Sequence, residues 1–345
     1  MPVGDPRQRR ATMQQVAALA GVSLKTVSRV VNGEAGVSPE MTGRVQDAVQ
    51  RLGYRHHHGA SNLRSGRPTG LVGALVQDIS NDFCAELLRA VEAATRERGQ
   101  VVAVASLDDE PQRERAAVEG LIRRRCDGLI LMPSGTDQSY LQAEVSAGLP
   151  IVAVDRPPGN IALDSVTSDN LGGARDATAH LLRQGHRRIA CLVDDLGIMT
   201  ATARRDGYLA ALREAGVTVD TQLVVGGLRT DADAAATLTR LLAVPNPPTA
   251  VFAGRNTITL GAVRALRATD LSHTVALVGF DDVVAADLLD PPVTTIRQDA
   301  ATEGRLAVEI LLARLDGDPS PLFTEVLPTE LVVRGSGEIP APRSP

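Results

Sequence analysis

The stretch Thr12-Met13-Gln14-Gln15-Val16-Ala17-Ala18-Leu19-Ala20-Gly21-Val22-Ser23-Leu24-Lys25-Thr26-Val27-Ser28-Arg29-Val30-Val31-Asn32 carries two helical signatures divided by a glycine. Met13, Val16, Ala17 and Ala20 recur at i, i+3, i+4 and i+7, the spacing that lines one face of an α-helix with apolar side chains. Thr12 stands just before them and suits an N-cap, whose hydroxyl accepts a free N–H of the first turn. Gly21 follows directly, where a left-handed residue ends a helix, and Ser23 then suits the cap of a second one. Val27, Val30 and Val31 give that second helix its buried side. A third opens at Ser38-Pro39-Glu40, with proline at the first helical position, and buries Val45, Ala48, Val49 and Leu52 before Gly53.

Two short helices joined at a tight glycine turn and backed by a third make a helix-turn-helix, a motif that lays its second helix in the DNA major groove. With the valines inward, Leu24, Lys25, Ser28 and Arg29 face outward near the helix start. Lys25 and Arg29 carry donors suited to guanine O6 and N7, Leu24 offers apolar contact, and the hydroxyls of Thr12, Ser23 and Ser28 suit phosphates. Ser23 equally suits a cap alone, and Arg29 a contact with the phosphate backbone.

The charge distribution points the same way. Residues 1–67 hold ten Lys and Arg against four Asp and Glu, whereas the remainder holds 26 against 37, so the net charge of −5 hides a basic front and an acidic body. A basic unit joined to a larger acidic one fits a polyanion at the front and a separate task behind. The 345 residues, 43% hydrophobic and 22% charged, are those of an ordinary globular protein with two or three units. No apolar run approaches 18 residues, and the Met1–Arg10 segment is polar and basic, so neither a membrane span nor a secretory signal is expected. Cys84, Cys126 and Cys191 lie far apart without C-x-x-C spacing. Neither a disulfide framework nor a zinc site is expected, which fits a reducing cytoplasm.

The run Val16-Ala17 to Ala20-Gly21-Val22-Ser23, then Thr26-Val27-Ser28-Arg29-Val30-Val31-Asn32, resembles the DNA-binding headpiece of the lactose-repressor (LacI/GalR) family of transcriptional regulators. Val37-Ser38 and Leu52-Gly53-Tyr54 continue the likeness. The resemblance implies a homodimer on a palindromic operator, with Thr26 and Asn32 added to the DNA-contacting group. It implies also that residues 56–69, rich in His, Gly, Ser and Arg, form a hinge helix on DNA. Leu63 then wedges into the minor groove, as apolar side chains of kinking proteins do. The stretch departs from the family pattern before that leucine. His56 stands where proline is common, and His57-His58-Gly59 replaces better helix formers, with glycine costing about 1 kcal/mol relative to alanine. A weaker or pH-sensitive hinge is the expectation. Three adjacent histidines are poor chelating geometry, and no metal or cofactor is expected.

From Gly70 short aliphatic runs alternate with helical stretches. Strands are expected at 71–77, 101–106, 128–132, 151–155, 189–194, 223–226, 250–253 and 275–280, each followed by ten or more helical residues such as 85–98 and 171–184. That alternation predicts parallel sheets covered on both faces, in two lobes, with a ligand beyond the carboxyl ends of the strands. The polar segments there are Asp78 to Phe83, Asp155-Arg156, Ser168-Asp169-Asn170, Arg204, Arg255-Asn256 and Phe280-Asp281-Asp282. All but Ser168-Asp169-Asn170, which opens a helix, are expected to follow a strand directly. Carboxylates, amides and guanidiniums bind hydroxyls in bidentate fashion, and an aromatic ring packs on a sugar face. Asp78, Asp155 and Ser168 equally suit caps or turns, and Arg204 a salt bridge.

This body, too, is similar to the family core, which resembles periplasmic sugar-binding proteins. Asp78 to Phe83, Val154-Asp155-Arg156, Asp169-Asn170 with Gly172-Gly173, Arg204 with Gly207-Tyr208, Val278 to Asp282 and Thr294 to Asp299 fall in the family order. The likeness spans about residues 12–333 and implies effector contacts from Asp78, Asn81, Phe83, Asp155, Arg156, Asp169, Arg204, Asn256, Asp281 and Gln298. Asp82 and Cys84 replace the usual proline and second phenylalanine, and Arg255-Asn256 replaces Asn-Asp. A lost ring and added charge predict a smaller, more polar or anionic effector, such as an acidic or phosphorylated sugar. The organisation expected is a helix-turn-helix domain at 1–55, a hinge at 56–69, a two-lobed effector-binding and dimerising core at 70–333 and a flexible tail at 334–345. A solute-binding protein for a transporter is disfavoured by the basic front. An enzyme is disfavoured because the chain lacks phosphate-loop, nucleophile-elbow and dinucleotide-binding motifs.

Overall fold

The computed structural model describes residues 11–54 and 68–342, and the chain divides into two compact units between Thr69 and Gly70. The first unit holds α1 (Met13–Ala20), α2 (Leu24–Val31) and α3 (Pro39–Leu52). Thr12 caps α1 in a reciprocal box: its hydroxyl accepts the Gln15 N–H at 3.3 Å, while Gln15 Oε1 accepts the Thr12 N–H at 2.8 Å. Gly21 adopts φ +63°, and Arg44 of α3 donates to its carbonyl at 3.3 Å, so the turn is pinned to the third helix. Val16, Ala17, Ala20, Val27, Val45 and Ala48 form the core, with Val30, Val31, Leu52 and Tyr54 at its edge.

The second unit consists of two lobes, each built on a six-stranded sheet. In the first lobe lie β1 (Leu71–Val76), α4 (Asp82–Glu97), β2 (Val101–Ser106), α5 (Pro111–Arg123), β3 (Gly128–Leu131), α6 (Gln142–Ser146), β4 (Ile151–Asp155) and β5 (Asp164–Ser168). The second lobe contains α7 (Asn170–Arg183), β6 (Ile189–Leu192), α8 (Met199–Glu214), β7 (Val224–Val225), α9 (Asp231–Leu242), β8 (Ala250–Ala253), α10 (Asn256–Ala268), β9 (Ala276–Phe280) and β10 (Thr294–Arg297). The chain then returns to the first lobe for α11 (Ala300–Leu315) and β11 (Thr324–Leu327), and ends in the second with β12 (Glu330–Val332). The sheet orders are β11-β5-β4-β3-β1-β2 and β12-β10-β9-β8-β6-β7, so β4 and β9 hold equivalent places. Helices α4 and α11 bury one face of the first sheet and α5 the other; α7 with α8 and α9 with α10 do the same for the second. Among the described residues the chain passes between lobes three times, at 168–170, 297–300 and 327–330.

Several expectations need correction. Strands β5, β10, β11 and β12 were not expected, and Ser168 ends a strand rather than opening a helix. β5 reads Asp-Ser-Val-Thr-Ser, yet all five residues are buried. Its Asp164 is matched by Arg314, which donates to both carboxylate oxygens at 2.9 and 2.8 Å. β12 runs antiparallel to β10, opposing Thr295 to Val332. Ten helical residues do not follow every strand: α6 has five, and β4 leads to β5 without a helix. The segment from 334 is no loose tail as far as it is described. Ser336 is buried, His186 bonds the Ile339 carbonyl at 2.9 Å, and the Ala341 N–H donates to Gln184 O at 3.0 Å.

Candidate functional site

In the first unit, α2 turns Val27 wholly inward, which leaves Leu24 (46% exposed) and Lys25 on its outer side and Ser28 and Arg29 half-buried. Neither Lys25 nor Arg29 faces a carboxylate among the described residues, so both cations are available to an anion. Ser23 caps the helix, accepting the Thr26 N–H at 3.1 Å and sharing a hydroxyl–hydroxyl bond of 2.9 Å with Thr26. Asn32 closes α2 and donates to Ser28 Oγ at 3.3 Å. Thr12 is exposed at the start of α1. Leu63 and His56 to His58 lie outside the described residues.

In the second unit, a narrow cleft at the carboxyl ends of both sheets leaves about 40 Å³ of free space and gathers Asn81, Phe83, Asp155, Arg156, Arg204, Asp281 and Gln298. Asp155 ends β4 and Asp281 follows β9, and both stand at positive φ, +63° and +64°. A left-handed residue turns each chain out of its sheet at equivalent points. Arg156 donates to Asp155 at 3.1 Å, to Asp109 at 2.5 Å and to the Pro133 carbonyl at 3.2 Å. Arg204 donates to Asn170 Oδ1 at 2.7 Å, the Gly254 carbonyl at 2.9 Å and Asp281 at 3.3 Å, with its guanidinium 3.9 Å from the centre of the Phe280 ring. Gln298 donates to the other oxygen of Asp281 at 2.5 Å. Burial pushes the Asp155 carboxyl above the usual range, Arg156 and Arg204 pull it back, and Asp281 and Asp109 add to the upward push. Burial likewise drives the Cys84 thiol up to about 12, so this wall of the cleft is inert.

Three expected contacts are elsewhere. The Asp78 carboxylate holds its own turn through Ser80, at 2.8 Å to both N–H and hydroxyl. Exposed Asp169 caps α7, accepting the Gly172 N–H at 2.7 Å. Asn256 closes the mouth: Asn81 Nδ2 donates to its Oδ1 at 3.0 Å across the lobes. Gln77, Met132, Asp194, Ile198, Thr200, Ala201 and Gly254 line the cleft without having been expected there, as does Cys84, which entered only as a departure from the family pattern; Arg255, from an expected polar segment, lines it too. Arg255 pairs with Asp194 and donates to Gln77 across the lobes at 3.0 Å. Asp194 lies just past the end of β6, so the rule that found Asp155 applies to it as well.

Each of the three cleft guanidiniums therefore faces a carboxylate. No surplus cation remains for a sugar acid or phosphate, and the anionic effector expected from the added charge is not what this arrangement suits. Paired donors and acceptors beside the Phe83 ring fit neutral vicinal hydroxyls. Among the described residues there is no group of three or more His, Cys, Asp or Glu placed to hold a metal ion, and no helix is long and apolar enough to cross a membrane.

Residues 12–56 match the family described as bacterial regulatory proteins, lacI family, and residues 178–337 the periplasmic binding protein-like domain. The ribose operon repressor of Escherichia coli (strain K12) is 34% identical over 309 residues, covering 88% of this chain and 93% of the relative. Among solved structures, the lac repressor dimer bound to operator and the anti-inducer ONPF superposes with a TM-score of 0.83 at 26% identity, covering 95% of this chain and 99% of that one. The transcriptional regulator CelR in complex with cellobiose gives 0.71 at 33% identity, covering 95% and 100%.

Proposed function

The chain belongs to the lacI family of bacterial regulatory proteins, and on that premise we propose that it is a transcriptional repressor whose homodimer grips a palindromic operator and releases or tightens that grip when a small neutral sugar enters the core cleft. The observation that carries the DNA reading is α2, with Val27 buried, Leu24 and Lys25 on its outer side, and neither Lys25 nor half-buried Arg29 facing a carboxylate among the described residues. Thr12, Ser23, Thr26, Ser28 and Asn32 flank them and serve the backbone or the helix caps. The sugar reading rests on the Arg–Asp pairing of the cleft, and CelR, a relative of the same architecture, is solved with cellobiose. Asn81, Phe83, Asp155, Arg156, Arg204, Asp281 and Gln298 are the contacts assigned to it; Asp78, Asp169 and Asn256 are assigned to shaping the surrounding turns. Because ligand and operator bind different sites on one chain, each alters the other's affinity by the same factor. Catalysis has no support, since no nucleophile in the cleft is paired with a base.

The test is selection of bound sites from random duplexes, followed by binding to the selected site across a panel of neutral sugars, sugar acids and sugar phosphates. A palindromic consensus and a shift by a neutral sugar alone are expected. Absence of any preference among duplexes, with or without the panel, defeats the regulator reading, and a response to sugar phosphates alone defeats the neutral one. Leu63 keeps its assignment as the minor-groove wedge: Leu63→Ala is expected to weaken the selected site more than random DNA, and equal weakening of both removes that role.

A further inference from the structure

Glu303 stands in the first turn of α11 and is wholly buried, beside the cleft but outside its lining. Its position depends on a close helix approach, since a Cβ on neighbouring Gly304 would stand 2.6 Å from the Leu87 carbonyl of α4. One carboxyl oxygen accepts the backbone N–H of Asp155, and the other lies 3.5 Å from the Ser168 hydroxyl, which donates to it. Ser168 precedes the first crossover, and its carbonyl accepts from Asn170 Nδ2 at 3.0 Å. Asn170 Oδ1 in turn accepts from Arg204, Arg204 donates to Asp281, and Gln298, on the second crossover, donates to the same carboxylate. Five residues past Gln298 the chain is back at Glu303.

We propose that Glu303 is a positioning residue of the sugar response, closing a buried hydrogen-bond circuit that joins the Asp155 backbone to the Asp281 carboxylate through two of the three crossovers. The proposal rests on the sugar-responsive reading above. A ligand that shifts the backbone at 155 or reorients the Asp281 carboxylate pulls on 168–170 and 297–300 together, because both segments hang from the same ring of bonds. Without Glu303 the Asp155 N–H is orphaned, and Asp155 is no longer tied to Ser168.

The experiment compares the full chain with Glu303→Ala, Glu303→Gln and the exposed control Glu309→Gln, using D-ribose as the probe and the selected duplex as operator. In Glu303→Ala the factor by which D-ribose changes operator affinity is expected to fall about tenfold, toward one. Operator affinity without sugar stays near that of the parent chain. Glu303→Gln, whose amide oxygen still accepts from Asp155 and whose NH2 bonds Ser168, restores most of the response. A Glu303→Ala chain that melts earlier yet keeps the parent response overturns the proposal. If D-ribose leaves even the parent chain unmoved, the choice of sugar has failed, and amide exchange without ligand decides on Glu303. Protection lost jointly at 155, 168–170 and 297–299, with β1 and β3 unchanged, supports the circuit; uniform loss across the first lobe overturns it.

Discussion

Arg204 is 5% exposed and bonded to Asn170, Gly254 and Asp281 while lying over Phe280. Removing one partner of a buried ion pair leaves the other charge stranded in a medium that solvates it poorly. Arg204→Ala is therefore expected to lower stability by about 3–5 kcal/mol in urea unfolding and to abolish the sugar response. A loss under about 1 kcal/mol would show that Gln298 alone satisfies Asp281. At the other end of the chain, Lys25 and Arg29 act on a partner rather than on the fold. Lys25→Ala or Arg29→Ala is expected to cost about 1–3 kcal/mol on the selected site and to relax base preference at one position, measured by repeating the selection. Uniform weakening on every sequence would instead place that residue on the phosphates.

Among elements, the helix-turn-helix depends on Gly21, whose φ of +63° a side chain resists and whose Cβ would meet the Arg44 guanidinium. Gly21→Ala is expected to destabilise the first unit by about 1–2 kcal/mol, read as faster amide exchange in α1 and α2. The three helices of this unit were legible because capping serines, a turn glycine and a 3.6-residue stripe agree with one another. The sheets were legible where strands are aliphatic, as at Leu71–Val76 and Ile151–Asp155. β5 escaped because its polar groups find their partners far along the chain, in Glu303, Arg314 and Glu325, and β11 and β12 because three or four residues carry no period. The same gap explains the cleft: Asp155 and Asp281 announce themselves after strands, whereas Gln77, inside an expected strand, acquires a role only when Arg255 of the other lobe comes within 3.0 Å. Glu303 gives no sequence signal at all, since a glutamate in a first helical turn ordinarily faces water.

At the level of the whole molecule, Glu303 and Asp155 couple stability to pH. Burial holds the Glu303 carboxyl well above its ordinary value of 4.5, and the Asp155 charge pushes it further. The folded state thus binds a proton that the unfolded chain releases, so the contribution is fully present below about 4.5 and is lost as pH rises through the elevated folded value. The difference in Tm between the parent chain and Glu303→Gln is expected to move in favour of the variant as pH is raised from 4 towards neutrality, roughly in that window. A difference constant with pH would mean that the carboxyl titrates alike in the folded and unfolded chains. The three passages between lobes bear on synthesis as well as on sensing. β5 is complete at Ser168, but its neighbour β11, which sets Thr324 against Ser165, is made only after all of the second lobe but β12 and the segment beyond it. At ordinary ribosomal speeds that interval is about ten to thirty seconds. Throughout it the nascent first lobe presents a bare strand margin, and a chaperone arriving in that window would find its natural client surface there.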